Sequence, residues 1–255
     1  MICSTPALSH EFWIEPSAFQ VEPGSSIEAA FRNGETFEGV SLGFFDRQSV
    51  RLDMIQGGET TELTPRNGDL PALQVTAPDR DGLLIFVHQT APSNLTYRTW
   101  EKFLKFATHK DFKDIQSRHE ARGLPREGFA ESYVRYAKSL IAIGDGNGAD
   151  QETGVDIEFV ATTNPYGANF NREFSARLLY QGQPRGDVQV EVFARAPDGS
   201  VEVTLYRTDE NGTVAFPVLS GHSYLVDSVV LRPAPEEDKA VWETLWAALT
   251  FAVPE

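Results

Sequence analysis

A chain of 255 residues is long enough for two ordinary domains, and a hydrophobic fraction of 41% with 17 phenylalanines supplies the apolar surface to fill their cores. A net charge of −15 repels phosphate backbones, so nucleic acid is excluded as the expected partner. No stretch approaches the roughly 20 apolar residues that cross a bilayer as a helix, and no membrane span is expected.

At the amino end, Ala7, Leu8 and Ser9 place small residues at the first and third positions, the pattern a signal peptidase cleaves. Residues 1–9 therefore read as a residual signal peptide, the tail of a longer leader. That makes His10 the first residue of an exported, periplasmic chain, carrying both an imidazole and a free amine. Cys3, the only cysteine, lies in the tail, so a disulfide or a thiolate metal site is not expected beyond it.

Residues 10–97 are short alternating runs, among them SIEAAFRNG, FEGVSLGFF, SVRLDMIQGG and LLIFVHQ. Asn33-Gly34, Gly57-Gly58 and Asp81-Gly82 punctuate them as turns, which predicts an amino-terminal antiparallel β-sandwich. Residues 98–143 change character. Trp100, Phe103, Leu104, Phe106 and Ala107, then Phe112 and Ile115, recur at helical spacing, and Gly123 is a C-terminal stop, so two short helices fit. Phe129, Tyr133, Tyr136, Ala137 and Leu140 share a face in a further helical reading, with Glu131 and Arg135 four apart, running into the apolar LIAIG, which fits a strand. This helical insert is locally basic: ten Lys and Arg stand against six Asp and Glu between Arg98 and Lys138.

Residues 144–154 form a glycine-rich linker. Its Asp145, Asn147 and Asp150 offer oxygen ligands, but the bidentate glutamate at the twelfth position of a calcium loop is lacking. Residues 155–255 return to strands with turns at intervals of roughly 8 to 12 residues, including Asp198-Gly199 and Asn211-Gly212. The predicted class is mainly β: two antiparallel sandwiches, Ig-like or prealbumin-like, with a short helical insert between them.

Candidate ligands are the five histidines, since borderline cations such as Ni²⁺, Co²⁺ and Cu²⁺ favour imidazole nitrogen. An amino-terminal His10 supplies two donors. His88, sheltered in the strand LIFVHQ, is the expected partner, and His222, after Gly221, is the reserve ligand. His109 and His119, ten residues apart, share no helical turn and are expected on the surface. No nucleophile elbow, zinc-protease helix, phosphate loop or catalytic cysteine is present, so no catalytic residues and no enzymatic activity are expected.

The stretches HEFWIEPSAFQVEPG, ESYVRYAKSLIAIG, TNPY, YQGQPRGDVQVEVF, RTDENGTVAFPV and LWAALTF together resemble the NikM-like extracytoplasmic family, grouped with the additional periplasmic component of nickel and cobalt transporters. The second half also resembles the prealbumin-type module of carboxypeptidases and of some TonB-dependent receptors. The resemblance implies export, two β-rich domains and a role near transition-metal uptake; the reading that follows is one bound transition-metal ion, nickel, cobalt or copper, with a membrane metal transporter or TonB-dependent receptor as the expected partner. The alternative is a metal-free cell-envelope scaffold whose sheet edges bind a protein.

Overall fold

The computed structural model describes residues 10–236 and 238–255. Its strands in chain order are β1 (Glu11–Pro16), β2 (Gln20–Val21), β3 (Ser26–Glu35), β4 (Glu38–Leu42), β5 (Ser49–Gln56), β6 (Glu59–Glu62), β7 (Leu73–Thr76), β8 (Gly82–Thr90) and β9 (Ser93–Tyr97). Helices α1 (Trp100–His109) and α2 (Ile115–Ala121) follow. The remainder is β10 (Phe129–Ile143), β11 (Ile157–Ala161), β12 (Glu173–Tyr180), β13 (Gln183–Pro184), β14 (Gln189–Arg195), β15 (Val201–Arg207), β16 (Thr213–Pro217), β17 (Ser223–Pro233) and β18 (Trp242–Ala252).

Continuous apolar runs organise the molecule. LLIFV in β8, LIAI in β10 and LWAAL in β18 do not alternate, because the sheet that holds them is covered on both faces. That sheet has ten strands, in the order β15-β14-β17-β18-β10-β8-β5-β6, with β2 and β9 also paired to β10. Leu83, Ile85, Leu140, Ala142, Leu245 and Leu249 pack on one face against Phe159, Phe174 and Phe216 of the small sheet β11-β12-β13 with β16. Leu84, Phe86, Ile141 and Ile143 pack on the other against Trp13, Ile14, Ile27 and Phe31 of the sheet β1-β3-β4 with β7. Further along that second face, Trp242 and Trp246 meet Trp100, Phe103 and Phe106 of α1 and Ile115 of α2. The result is mainly β, with antiparallel sheets stacked as sandwiches and two short helices, the expected class.

The ten-stranded sheet takes β5, β8 and β9 from before the 144–154 loop and β14, β15, β17 and β18 from after it. Its one long parallel pairing joins β10 to β18, from Glu131 opposite Trp242 to Ser139 opposite Thr250. Two expectations need correction. The segment read as a helix after Pro125 is strand β10, continuous with the LIAI that fits a strand: β8, β9 and β18 offer it hydrogen bonds, and its aromatic and β-branched residues suit a strand buried on both sides. Asn33-Gly34 is not a turn but the end of β3, where Gly34 lies so close to Gly39 and Glu38 that a Cβ has no room. The reversal falls instead at Thr36 and Phe37, both with positive φ, the signature of a tight hairpin turn. Gly57 and Gly58 do form the expected turn, each with positive φ. No helix among the described residues is long and apolar enough to cross a membrane.

Candidate functional site

Two strands of the central sheet set Glu191 and Asp227 directly opposite each other, a like-charge pair that is unstable by itself. Lys110, just past α1, resolves it. Its Nζ stands 3.1 Å from Glu11 Oε1, 3.0 Å from Glu191 Oε1 and 3.0 Å from Asp227 Oδ2, and 4.7 Å from the centre of the Trp246 ring. Glu11, Glu191 and Asp227 are the only group of three or more metal-ligand side chains converging within 4.8 Å among the described residues. The lysine ammonium occupies the cation position of that group.

One positive charge does not balance three carboxylates. Burial penalises the Lys110 ammonium, but the charges of Asp227, Glu11 and Glu191 outweigh that and hold it above the ordinary lysine range. Burial dominates at Asp227, only partly offset by Lys110, and its carboxyl is pushed up to about 7. Burial also acts on Glu191, but the hydrogen bond of His109 and the charge of Lys110 bring it below the usual carboxylate range. His109, largely exposed, stands 3.5 Å from Glu191 Oε2, and that hydrogen bond raises its pKa against the effect of burial. Beside the cluster lies a pocket of about 360 Å³ whose walls include Glu11, Glu35, Phe106, His109 and Glu191.

His10 sits across the β1–β3 ladder from Glu35, one position beyond the Glu11 to Gly34 pair. Its Nδ1 is shielded from solvent and lies 3.1 Å from Glu35 Oε1, but off the line of a hydrogen bond. His88 has other neighbours. It is 3% exposed, stacks on Phe31 with centroids 4.2 Å apart, and its Nε2 meets Ser49 Oγ at 3.1 Å. Burial holds its pKa down to about 3, so the ring is neutral. Between the two histidines' surroundings stands Arg135, whose Nη2 donates to the His10 carbonyl at 3.1 Å and whose guanidinium shares a second pocket with His88. A fixed cation in that place opposes a metal ion shared by His10 and His88.

The remaining candidates are structural. His222 Nδ1 donates to the Ser220 carbonyl at 2.9 Å and shapes its turn. His119, expected on the surface, is fully buried: Trp242 Nε1 donates to its Nδ1 at 3.0 Å, and its Nε2 donates to the Pro125 carbonyl at 3.0 Å. Those two partners hold the ring in place, and the aromatic cluster under α2 takes it in. Asp150 is buried against Lys138 Nζ at 2.8 Å, with Glu158 at 3.4 Å and the Phe159 and Gln151 carbonyls at 2.9 and 3.1 Å around the same ammonium, so charge ties the 144–154 loop to β10. Asp145 accepts from the backbone and side chain of Asn147. Glu131 and Arg135 do not pair. In a strand they face different partners, and Glu131 accepts from Tyr97 Oη and Thr244 Oγ1 while burial pushes its pKa up to about 7.

Lys110, Glu11, Glu191 and Asp227 went unnoticed in the sequence. A signal was present: Glu191 and Asp227 interrupt the apolar strands VQVEVF and YLVDSVVL, where a lone acid in a two-sided strand requires a buried partner.

The fold and site define a layered β protein with a buried ion cluster beside a helix and pockets adjoining it. The chain belongs to the family described as Domain of unknown function (DUF4198), which it matches over residues 7–231. No curated protein matches its sequence. Among solved structures it is similar to the D0-D1 domain of intimin, at 10% identity, covering 94% of this chain and 97% of that one, with a TM-score of 0.21. A tetra-tandem repeat from the extending region of a large adhesion protein is similar at 10% identity, covering 95% of this chain and 49% of that one, with a TM-score of 0.24. Likenesses at that level carry no argument about function.

Proposed function

We propose that this protein is a non-catalytic, exported binding protein for a transition-metal ion, nickel, cobalt or copper, which it passes to a membrane transporter. The observation that carries the reading is the approach of His10 Nδ1 to Glu35 Oε1 at 3.1 Å without a directed hydrogen bond. Two ligand atoms held about 2.1 Å from one ion at a right angle stand about 3.0 Å apart, so the pair already has the separation a shared cation needs. Cleavage after Ser9 adds the His10 amine as a third donor on the same residue. Glu35 takes the place first given to His88. The imidazole and carboxylate hold the ion, and the amine closes a chelate ring that fixes the histidine rotamer. The resemblance to the nickel and cobalt transport family and the A-x-A-like motif support export and metal cargo.

Elemental analysis of protein secreted from its own leader and purified without chelators or affinity tags is the test. One equivalent of nickel, cobalt or copper, lost in Glu35→Gln, is the expected result; metal-free protein overturns the reading.

A second reading, a cell-envelope scaffold, has one observation in its favour. Strand β4 is an edge, every residue of it is exposed, and Val40 at 64% and Leu42 at 37% present apolar side chains beside unpaired backbone groups. Metal-free protein that retains a strand-adding partner supports it.

A further inference from the structure

The second pocket, about 270 Å³ in volume, is built from β1, β3, β8 and β10 and the segment after β4. Three of its lining side chains carry a buried polar atom with no partner in the protein: Nδ1 of His88, Oδ1 of Asn33 and Nε of Arg135. One such atom in a native protein needs an explanation; three converging on a single cavity need a common one. The walls between them are rings. Phe12, Phe31, Phe44, Phe45 and Tyr133 line the cavity, and the Arg135 guanidinium lies 4.6 Å from the Tyr133 centroid and 5.9 Å from that of Phe12.

Arg135 sets the chemistry. No carboxylate among the described residues lies within ion-pair distance of it; Nη2 donates to the His10 carbonyl, and burial holds its pKa below the ordinary arginine value although Tyr133 and the more distant Glu11 and Asp227 partly offset it. A largely buried guanidinium without a counter-ion is costly, and the guanidinium fork is shaped to take a planar carboxylate. The acceptor on Asn33 and the neutral ring of His88 add polar positions to the same pocket, and its aromatic walls offer apolar surface to a flat ring.

We infer that this pocket binds a small aromatic carboxylate, one substituted ring in size, with its carboxylate on Arg135, its ring against Phe12 and Phe31, and a hydroxyl or amide substituent reaching Asn33 or His88. The site adjoins the His10–Glu35 pair, since Arg135 also donates to the His10 carbonyl, but it uses different side chains. Its ligand is an anion, and it requires neither metal nor a processed amino terminus.

The probes are 4-hydroxybenzoate, benzoate and the uncharged 4-hydroxybenzamide, titrated into the full chain in EDTA with ligand-observed NMR and calorimetry. The expected result is saturable one-to-one binding of the two carboxylates, with 4-hydroxybenzoate the tighter and the benzamide at least tenfold weaker. Arg135→Met should weaken 4-hydroxybenzoate at least tenfold, and Asn33→Ala, at a half-buried rim position, should abolish the advantage of the hydroxyl while the melting temperature stays put. Absence of saturable binding by either carboxylate overturns the inference, as does equal affinity for carboxylate and amide. Because EDTA is present throughout, failure of metal binding leaves these outcomes unchanged.

Discussion

At the scale of single residues, buried charge decides how the protein responds to substitution and to pH. Lys110 is the buried cation shared by Glu11, Glu191 and Asp227, and His109 reaches only Glu191 from the surface. Removing one member of a buried ionic group leaves the rest uncompensated, so Lys110→Met should lower stability by about 3–5 kcal/mol, read as a shifted urea midpoint. The pH dependence follows from the same burial. Asp227 titrates near 7 in the fold against an ordinary 3.8, and Glu131 near 7 against 4.5, so the folded state keeps protons the unfolded chain has released. Their stabilising effect is complete below the unfolded values and is lost as pH rises through 7. His109, raised by Glu191, acts in the same sense. His88, held near 3 against 6.5, acts oppositely and loses stability as the pH falls below 6.5. The first three outweigh it, and the urea midpoint should rise as pH is lowered from 8 to 5. Asp227→Asn and Glu131→Gln should each flatten that rise, by about 1.4 kcal/mol per pH unit for a whole proton. A midpoint that falls on acidification contradicts the assignment. The ionic cluster itself was legible only in part. An isolated acid in an apolar strand marks a buried charge, but which lysine answers it depends on the docking of α1, which no spacing along the chain specifies.

At the scale of elements, pairing partners settle what local pattern leaves open. The two helices, the Gly57-Gly58 turn and most strands are legible because period and turn chemistry agree. Strand β10 is not. Its apolar residues satisfy helical spacing and a two-sided strand equally well, and only the presence of β8 and β18 beside it decides. The hairpin after β3 was misplaced for a related reason: Asn33-Gly34 is turn-like chemistry, whereas the bend uses Thr36 and Phe37. Phe37 is fully buried against Trp13 with its ring beneath the Arg195 guanidinium, so packing holds the turn there. Thr36 is exposed and takes positive φ, a costly conformation for a β-branched residue. Thr36→Asn should therefore stabilise the protein by about 1 kcal/mol in urea unfolding. The 144–154 loop depends on Lys138 in the same way that α1 depends on Lys110. Lys138→Met should open that loop to limited proteolysis at concentrations of protease that leave the parent intact.

At the scale of the whole molecule, the ten-stranded sheet joins the two ends of the chain. Strand β10 bonds to β8 on one side and β18 on the other, and Thr250 Oγ1 donates to the Ile14 carbonyl across the layers. Calorimetry should therefore show a single cooperative transition, and two resolved transitions are the contrary result. Class and layer composition were legible from β propensity and turn spacing; the three-layered arrangement was not, although the non-alternating runs in β8, β10 and β18 are what a doubly covered sheet requires. The candidate metal residue His10 was reached from its place in the chain, but its companion Glu35 was not, since strand register and not sequence distance makes them neighbours. The most direct test of the metal reading is a calorimetric titration of Ni²⁺ or Cu²⁺ into protein that begins at His10. One-to-one binding weakened at least a hundredfold by His10→Ala and untouched by His88→Gln is the predicted result. No stoichiometric binding, or affinity indifferent to His10→Ala, contradicts it.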